Sequence, residues 1–185
     1  MKHSQVTKLA VVSISSGENL GKIADLVINS DGGQCLALLI QPEGILVAKK
    51  IILIDDVSDF GDDVVMVQNE KMVVPFRDNE DLKQIVDQGA KIIDNEAITY
   101  SGELLGEVKD YEVDEESNKI SRLFISTGLI KDLFKGELII TADKIVSIGK
   151  DAIIVKDAVV TEKLKRKNIN REKDFAQLGA MNKDI

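Results

Sequence analysis

The sequence has few of the residues that small proteins use for disulfide bonds, aromatic cores and imidazole chemistry. Its 185 residues include one Cys, one His, two Pro and no Trp, and aromatic residues make up 4%. The single cysteine, Cys35, excludes an internal disulfide framework and is typical of a reducing compartment. Because 44% of the residues are apolar but few are aromatic, the core has to be built from Val, Ile and Leu, which favours strands.

Long apolar runs are also missing. No stretch approaches the ~20 apolar residues that a membrane-spanning helix needs, and no basic-then-apolar signal opens the sequence. We therefore expect a soluble, cytoplasmic protein. The length allows one ordinary domain or two small ones of roughly 70–90 residues each.

Charge is unevenly distributed along the chain. The net charge is −8, yet residues 161–185 contain seven basic and four acidic residues, which leaves −11 on the first 160 residues. Such an acidic body repels phosphate backbones, so its surface disfavours nucleic-acid binding. The basic tail is the one segment whose charge favours an acidic partner.

An internal repeat organises the chain. Residues 16–25 (SGENLGKIAD) align with residues 101–110 (SGELLGEVKD) at an offset of 85, and residues 55–67 align with residues 143–155 at an offset of 88. Two windows that recur in the same order, with one small insertion between them, indicate a duplicated domain.

Each copy has the pattern of short strands separated by Gly-, Ser- and Asp-rich turns. The strands predicted in the first copy are 9–14, 22–29, 35–40, 45–54 and 64–67. Single helical turns are expected at 55–58 and 142–145. Strands at this spacing, with no long helix inside a copy, predict a small barrel that closes on itself and so removes exposed edges.

One short helix is predicted between the copies. Asp78 is its expected N-cap, Leu82, Ile85 and Val86 follow at one-face spacing, and Gly89 ends it. The predicted organisation is a first barrel at 1–76, a linker helix at 77–89, a second barrel at 90–160 and a charged tail at 161–185 that is either helical or disordered.

A glycine-rich motif opens each copy, and the second copy ends on a recognisable pattern. The opening motif, Gly-x-x-x-Gly-x-Val/Ile-x-Asp, is formed by Gly17, Gly21 and Asp25, and again by Gly102, Gly106 and Asp110. Residues 145–155 close the second copy with Ile-x-x-Ile-Gly-x-Asp-x-Ile-x-Val. Together these motifs resemble the PRC-barrel family, the small barrels of the photosynthetic reaction centre H subunit and of the C-terminal end of the ribosome maturation factor RimM.

The resemblance implies an all-β fold of two tandem six-stranded barrels that act as binding or assembly modules. Stand-alone and tandem members of the family occur in bacteria and archaea. The first copy departs from the closing motif, because Phe60 stands where the second copy has Ile148. Neither a RimM-type N-terminal domain nor a membrane anchor is recognised, so neither of those two roles is carried over.

Residues that could carry chemistry have simpler interpretations. The only histidine, His3, lies at a terminus that we expect to fray, where it is a poor general base. Cys35 aligns with Ile120, which indicates a packing position. The carboxylates at 55, 56, 59, 62 and 63 are irregularly spaced for calcium, and Lys144 and Lys150 replace two of them in the other copy. We therefore predict no catalytic residues, no metal site and no cofactor.

The motif glycines do not match a nucleotide-binding loop, since neither the P-loop ending nor the dinucleotide-binding spacing is present. Their expected roles are a hairpin turn at Gly17 and Gly102 and a strand bulge at Gly21 and Gly106. Asp25 and Asp110, which complete the motif, are interpreted as hydrogen-bond acceptors that stabilise the barrels.

An apolar loop is the candidate contact with a partner: Leu129, Ile130, Leu133 and Phe134. Either these side chains plug an open end of the second barrel, or they anchor a protein partner or a second copy of the chain as a homodimer. The predicted function is a non-catalytic protein-interaction or assembly module with no identified partner. The alternatives are a ribosome- or RNA-associated factor that uses the tail, and a small-ligand binder at a cleft between the barrels.

Overall fold

Two β-sheets contain half of the residues that the computed structural model of the chain describes, namely 1–42, 48–88, 91–126 and 137–159. The first sheet and its flanking helices follow the chain in this order: α1 (His3–Val6), β1 (Ala10–Ser13), β2 (Asn19–Asn29), β3 (Gln34–Gln41), β4 (Lys50–Leu53), β5 (Val57–Phe60), β6 (Val64–Val67), β7 (Val74–Pro75) and α2 (Glu80–Gln88). The second sheet contains β8 (Glu96–Thr99), β9 (Leu104–Val113), β10 (Ile120–Ser126), β11 (Glu137–Thr141), β12 (Ile145–Ile148) and β13 (Ala152–Val155).

The two sheets have the same topology. Their strand orders are β5-β6-β1-β2-β3-β4-β7 and β12-β13-β8-β9-β10-β11, so over the described residues the second order repeats the first except for β7. In each sheet one pair of strands is parallel, β1 with β6 and β8 with β13, while the other pairs are antiparallel. The predicted all-β fold of two tandem barrels is confirmed.

The motif residues occupy equivalent positions in the two sheets. Gly21 lies opposite Val11 and Gly106 lies opposite Ala97, each next to a register shift in the ladder. Their φ angles are +129° and +138°, in the region that favours glycine. A β-carbon on Gly21 would lie 2.7 Å from the carbonyl oxygen of Gln41, so close backbone packing also requires glycine at this bulge.

Several short elements differ from the sequence expectations. The predicted helical turns are 3₁₀ turns at Ile54–Asp56 and Ala142–Lys144, and each leads directly into a strand that was not predicted, β5 or β12. Strand β7 was also missed. Within the described residues, β5 and β12 contain polar residues and pair only with the next strand in a hairpin, and β7 has two residues, too few to show a period-2 pattern.

The helix α2 covers the outer face of the first sheet. Leu82 packs with Val27, Leu39 and Ile51 of that sheet in a separate apolar cluster. The cap is Asn79 and not Asp78, because the Asn79 side chain accepts a 3.0 Å hydrogen bond from the Leu82 amide while Asp78 belongs to the preceding 3₁₀ turn Phe76–Asp78. Gly89, the predicted end of the helix, is outside the described residues.

One continuous core connects the two copies. Fully buried side chains of the first sheet, such as Leu38 and Ile40, belong to the same apolar cluster as Leu123 and Ile125 of the second. Since apolar burial is the main stabilising contribution in a folded domain, the copies stabilise each other.

Candidate functional site: the junction between the two copies

The N-terminal segment lies between the two copies. The His3 Nε2 atom is 3.0 Å from Asp25 Oδ1 in β2, and the imidazole stacks on the ring of Tyr111 in β9 with centroids 4.8 Å apart. The expectation that His3 frays is therefore wrong. Its partners are distant in sequence, so no local pattern marks this contact.

The motif aspartate of the second copy also binds this segment. Asp110 Oδ1 accepts hydrogen bonds from the amides of Ser4 (3.1 Å) and Tyr111 (2.9 Å), and Lys2 Nζ lies 3.6 Å from Oδ2. Burial alone raises the pKa of this carboxyl, but the hydrogen bonds from Ser4 and Tyr111 and the charge of Lys2 outweigh it, so the pKa of Asp110 is lowered.

The motif aspartate of the first copy, Asp25, accepts a hydrogen bond from the amide of the next residue, as Asp110 does. Asp25 Oδ1 accepts a 2.8 Å hydrogen bond from the amide of Leu26, as Asp110 does from Tyr111. The side chain of Asp25 is 58% exposed, compared with 11% for Asp110. The two equivalent carboxylates thus bind the same N-terminal segment from opposite copies, through His3 and Ser4.

A direct contact between the sheets pairs equivalent residues with each other. Gln34 and Lys119, which are 85 positions apart as in the repeat, form an antiparallel bridge. The amide of Cys35 donates to the carbonyl of Asn118 at 2.7 Å, and the amide of Ile120 donates to the carbonyl of Gly33 at 2.9 Å. A surface that contacts its own equivalent in this way has the pattern of a twofold dimer interface, here contained in one chain.

The turn residues at this contact adopt the same unusual conformation. Gly33 has φ +67° and its counterpart Asn118 has φ +54°, and Asn is one of the few residues with a side chain that tolerates this region. The matching backbone geometry in both copies supports the twofold relation.

The cysteine and tyrosine at the junction are packed rather than reactive. Burial raises the pKa of the Cys35 thiol to about 12 and the pKa of Tyr111 well above its usual value. Cys35 is 0% exposed, and Ile120, its counterpart, is also buried. A thiol in this environment stays protonated near neutral pH, so its chemistry is that of a small apolar side chain.

Two clefts open along the junction. The larger has a volume of about 250 Å³ and its lining includes His3, Asp25, Lys91 and Tyr111. The smaller, of about 130 Å³, lies between the β2–β3 turn and the second sheet. Both are smaller than the pockets of about 300–1,000 Å³ that enclose most small-molecule ligands, so neither of these two clefts favours the small-ligand alternative.

The acidic cluster of the first copy is divided between different elements. Asp55 and Asp56 belong to a 3₁₀ turn, Asp59 belongs to β5, and Asp62 and Asp63 form the turn before β6. Among the residues that the structure describes, no group of three or more His, Cys, Asp or Glu side chains is placed to hold a metal ion.

The most exposed large apolar side chains lie in the second copy. Tyr100 (77%), Ile139 (50%) and Val146 (49%) are the three most exposed in the described part of the chain. Sequence reasoning alone does not find them, because an apolar residue on the outer face of β11 or β12 has the same pattern as a covered one, and Tyr100 lies in the turn that follows β8. Leu129, Ile130, Leu133, Phe134 and the tail at 161–185 are outside the described residues.

Over the same described ranges, no helix is both long and apolar enough to cross a membrane.

The repeated sheet topology, the shared glycine bulges and the twofold junction define a tandem protein of two small β-barrels. The sequence model of the PRC-barrel domain matches residues 1–80 and, a second time, residues 85–159. The chain therefore belongs to the PRC-barrel domain family, as its motifs indicated. None of the curated proteins compared with the chain matches it.

Proposed function

We propose that the chain is a non-catalytic interaction module that binds a protein partner through its second barrel. The observation that supports this most is the exposure of Tyr100, Ile139 and Val146 there. Large exposed apolar and aromatic side chains are the usual anchors that a protein contact buries.

A difference in exposure between Ile51 of the first copy and its counterpart Ile139 of the second also supports a contact surface on the second barrel. Ile51 in β4 is 0% exposed and packs with Leu82 of α2, whereas its counterpart Ile139 in β11 is 50% exposed. The register gives the equivalence, because Ile51 pairs with Leu39 and Ile139 pairs with Phe124. The first barrel has a helix over this face, and the second leaves Ile139 open to a partner.

The apolar loop is continuous with this surface along the chain. It connects Ser126 at the end of β10 to Glu137 at the start of β11, and Ile139 follows two residues later. We assign the candidate contact residues Leu129, Ile130, Leu133 and Phe134 to the same partner surface. The partner is expected to present a complementary apolar patch with a polar rim.

The test is a double variant, Leu129→Ala with Phe134→Ala, compared with the wild type and with Val86→Ala, which removes an exposed apolar side chain of α2. Affinity purification with mass spectrometry identifies proteins retained by each chain, and sedimentation reports self-association. We expect the double variant alone to lose a partner or a second copy while its unfolding free energy changes little. A loss of roughly 3–5 kcal/mol in stability with unchanged partners would show that the loop is an internal plug.

A further inference from the structure

The smaller cleft at the junction has the size of a single aromatic side chain. Its volume is about 130 Å³, and its lining includes Gly33 of the β2–β3 turn, Ile120 of β10, and Ile145, Val146 and Ile148 of β12. An apolar cavity of roughly 150 Å³ binds benzene. The cleft is therefore too small for most small-molecule ligands but large enough for one inserted ring.

The twofold relation between the copies shows why this cleft is open. The pairing of β12 with β13 repeats that of β5 with β6, so the positions across the junction correspond. In the first copy, Ile54 is buried with 8% exposure and Phe60 packs against the shared core. Three residues that line the cleft are smaller than their equivalents: Gly33 for Asn118, Ala142 for Ile54 and Ile148 for Phe60. The equivalent space is thus bounded by larger side chains of the chain itself, and one of them is an aromatic ring.

The cleft is also more apolar than its equivalent. Val146 is 49% exposed, whereas the equivalent residue of β5 is the exposed, polar Ser58. On the buried side, Ile120 takes the place of Cys35. Since Val146 is one of the exposed side chains that support the proposed partner surface, the cleft belongs to the same surface.

The charge beside the cleft favours a basic neighbour for the inserted ring. Asp31 directly precedes Gly32 and Gly33, which line the cleft, and its side chain is exposed. Asp31 forms no ion pair with any other residue that the structure describes. The first 160 residues carry a net charge of −11, and complementary charge steers a partner to its site.

We propose that one aromatic side chain of the protein partner, adjacent to a basic residue in the partner's sequence, inserts into the smaller cleft between Gly33 and Val146. The inference rests on the proposed function and names the anchor through which the partner binds. A few aromatic anchors that fill pockets supply most of the binding free energy at protein contacts.

A dipeptide that carries the proposed anchor tests the cleft without the partner. The probe is N-acetyl-Phe-Lys-amide, titrated at millimolar concentration into the isotope-labelled full chain and followed by NMR. We expect saturable shifts at the amides of Gly33, Ile120 and Ser147, and binding several-fold tighter than that of N-acetyl-Ala-Lys-amide or N-acetyl-Phe-Glu-amide. No saturable shift at these amides, or equal binding of the Ala dipeptide, would overturn the proposal. Equal binding of the Glu dipeptide would overturn the assignment of a basic neighbour.

A variant that borrows the equivalent residue fills the cleft. Gly33→Asn introduces the residue type of Asn118, whose φ of +54° is close to the +67° of Gly33, so the turn accommodates it. A β-carbon on Gly33 would lie 3.5 Å from Ile148 Cδ1, an ordinary contact distance. We expect Gly33→Asn to weaken dipeptide binding tenfold or more. Unchanged binding would overturn the proposal.

A second variant keeps the test decisive if Gly33→Asn folds poorly. Val146→Ser introduces the residue type of Ser58 at an exposed position, and we expect it to weaken dipeptide binding several-fold. Its matched control is Ile14→Ser, because Ile14 is 48% exposed and does not line the cleft. Equal effects of Val146→Ser and Ile14→Ser would overturn the proposal.

The dipeptide titration and the loop variant fail separately. If Leu129→Ala with Phe134→Ala loses a partner while the dipeptide does not bind, the anchor is overturned and the proposed function stands. If the loop proves to be an internal plug while Gly33→Asn abolishes dipeptide binding, the anchor stands and only the assignment of the loop is withdrawn.

Discussion

Cys35 shows how the junction controls the chemistry of a single side chain. It is fully buried, and burial raises the pKa of its thiol to about 12. Since the thiolate is the reactive form, we expect a thiol reagent at pH 8 to label the native protein at least 100-fold more slowly than the protein in denaturant. Labelling at similar rates in the two conditions would contradict the packing role.

Asp110 contributes charge-dependent stability at the same junction. Its pKa is lowered in the folded protein, so its contribution is present above the unfolded value of about 4 and is lost as the pH falls through the folded value. We expect Asp110→Asn to reduce the unfolding free energy by about 1 kcal/mol at pH 7 and by progressively less as the pH falls below about 4, as measured by urea denaturation.

The matched control for this prediction is Asp25→Asn, which changes the equivalent but more exposed carboxyl. We expect a smaller effect at pH 7, because solvent screens an exposed group. Equal losses for the two variants would show that the contacts of Asp110 with Ser4 and Lys2 do not stabilise the fold.

The repeat predicts the environment of some residues and not of others. Cys35 was correctly assigned to packing, because its aligned partner is Ile120 and both are buried. His3 was wrongly expected to fray. Its position depends on Asp25 and Tyr111, which approach the N-terminus only after both copies have folded. Aligning the copies shows which residues have equivalent environments. It gives no information on the N-terminal segment, which lies between the copies and has no counterpart in the alignment.

At the level of elements, the first hairpin and its bulge use glycine for different reasons. Gly17 has φ +71°, and a β-carbon there would meet no other described residue within 4 Å beyond its chain neighbours. A β-carbon on Gly21 would instead lie 2.7 Å and 2.9 Å from backbone atoms of Gln41 and Pro42. We expect Gly17→Ala to cost about 1–2 kcal/mol from its φ angle alone. Gly21→Ala should cost roughly 1–3 kcal/mol more, because the backbone of β3 must shift.

Denaturant unfolding of the two variants, measured side by side, checks this order. Equal losses of unfolding free energy, or a larger loss for Gly17→Ala, would mean that the close approach between the β2 bulge and the end of β3 does not affect stability.

The long strands and the apolar short strands β1 and β6 were predictable, whereas β5, β7 and β12 were not. The sequence pattern predicted strands at 22–29 and 35–40, and β2 and β3 contain both of those ranges. The pattern missed β5, β7 and β12, which are two to four residues long. β6, which is also four residues long, was predicted at 64–67 because all four of its residues are apolar, whereas β5 and β12 contain polar residues and β7 has only two residues.

At the level of the whole molecule, the twofold junction makes the copies equivalent while their surfaces diverge. In the first barrel, α2 covers the outer face and Ile51 is buried, whereas in the second barrel Ile139 is half exposed. A duplicated domain can thus use one copy mainly as a scaffold and the other as the contact surface. The motifs predicted the duplication. They could not predict the different exposure of Ile51 and Ile139, because that depends on the face of the sheet that α2 covers.

The two copies form one body through a shared core and a twofold junction. Differential scanning calorimetry of the full chain tests it most directly. We expect a single transition whose calorimetric and van't Hoff enthalpies agree, because a continuous core unfolds cooperatively. Two resolved transitions, or a calorimetric enthalpy about twice the van't Hoff value, would show that the barrels fold independently and would contradict the claim.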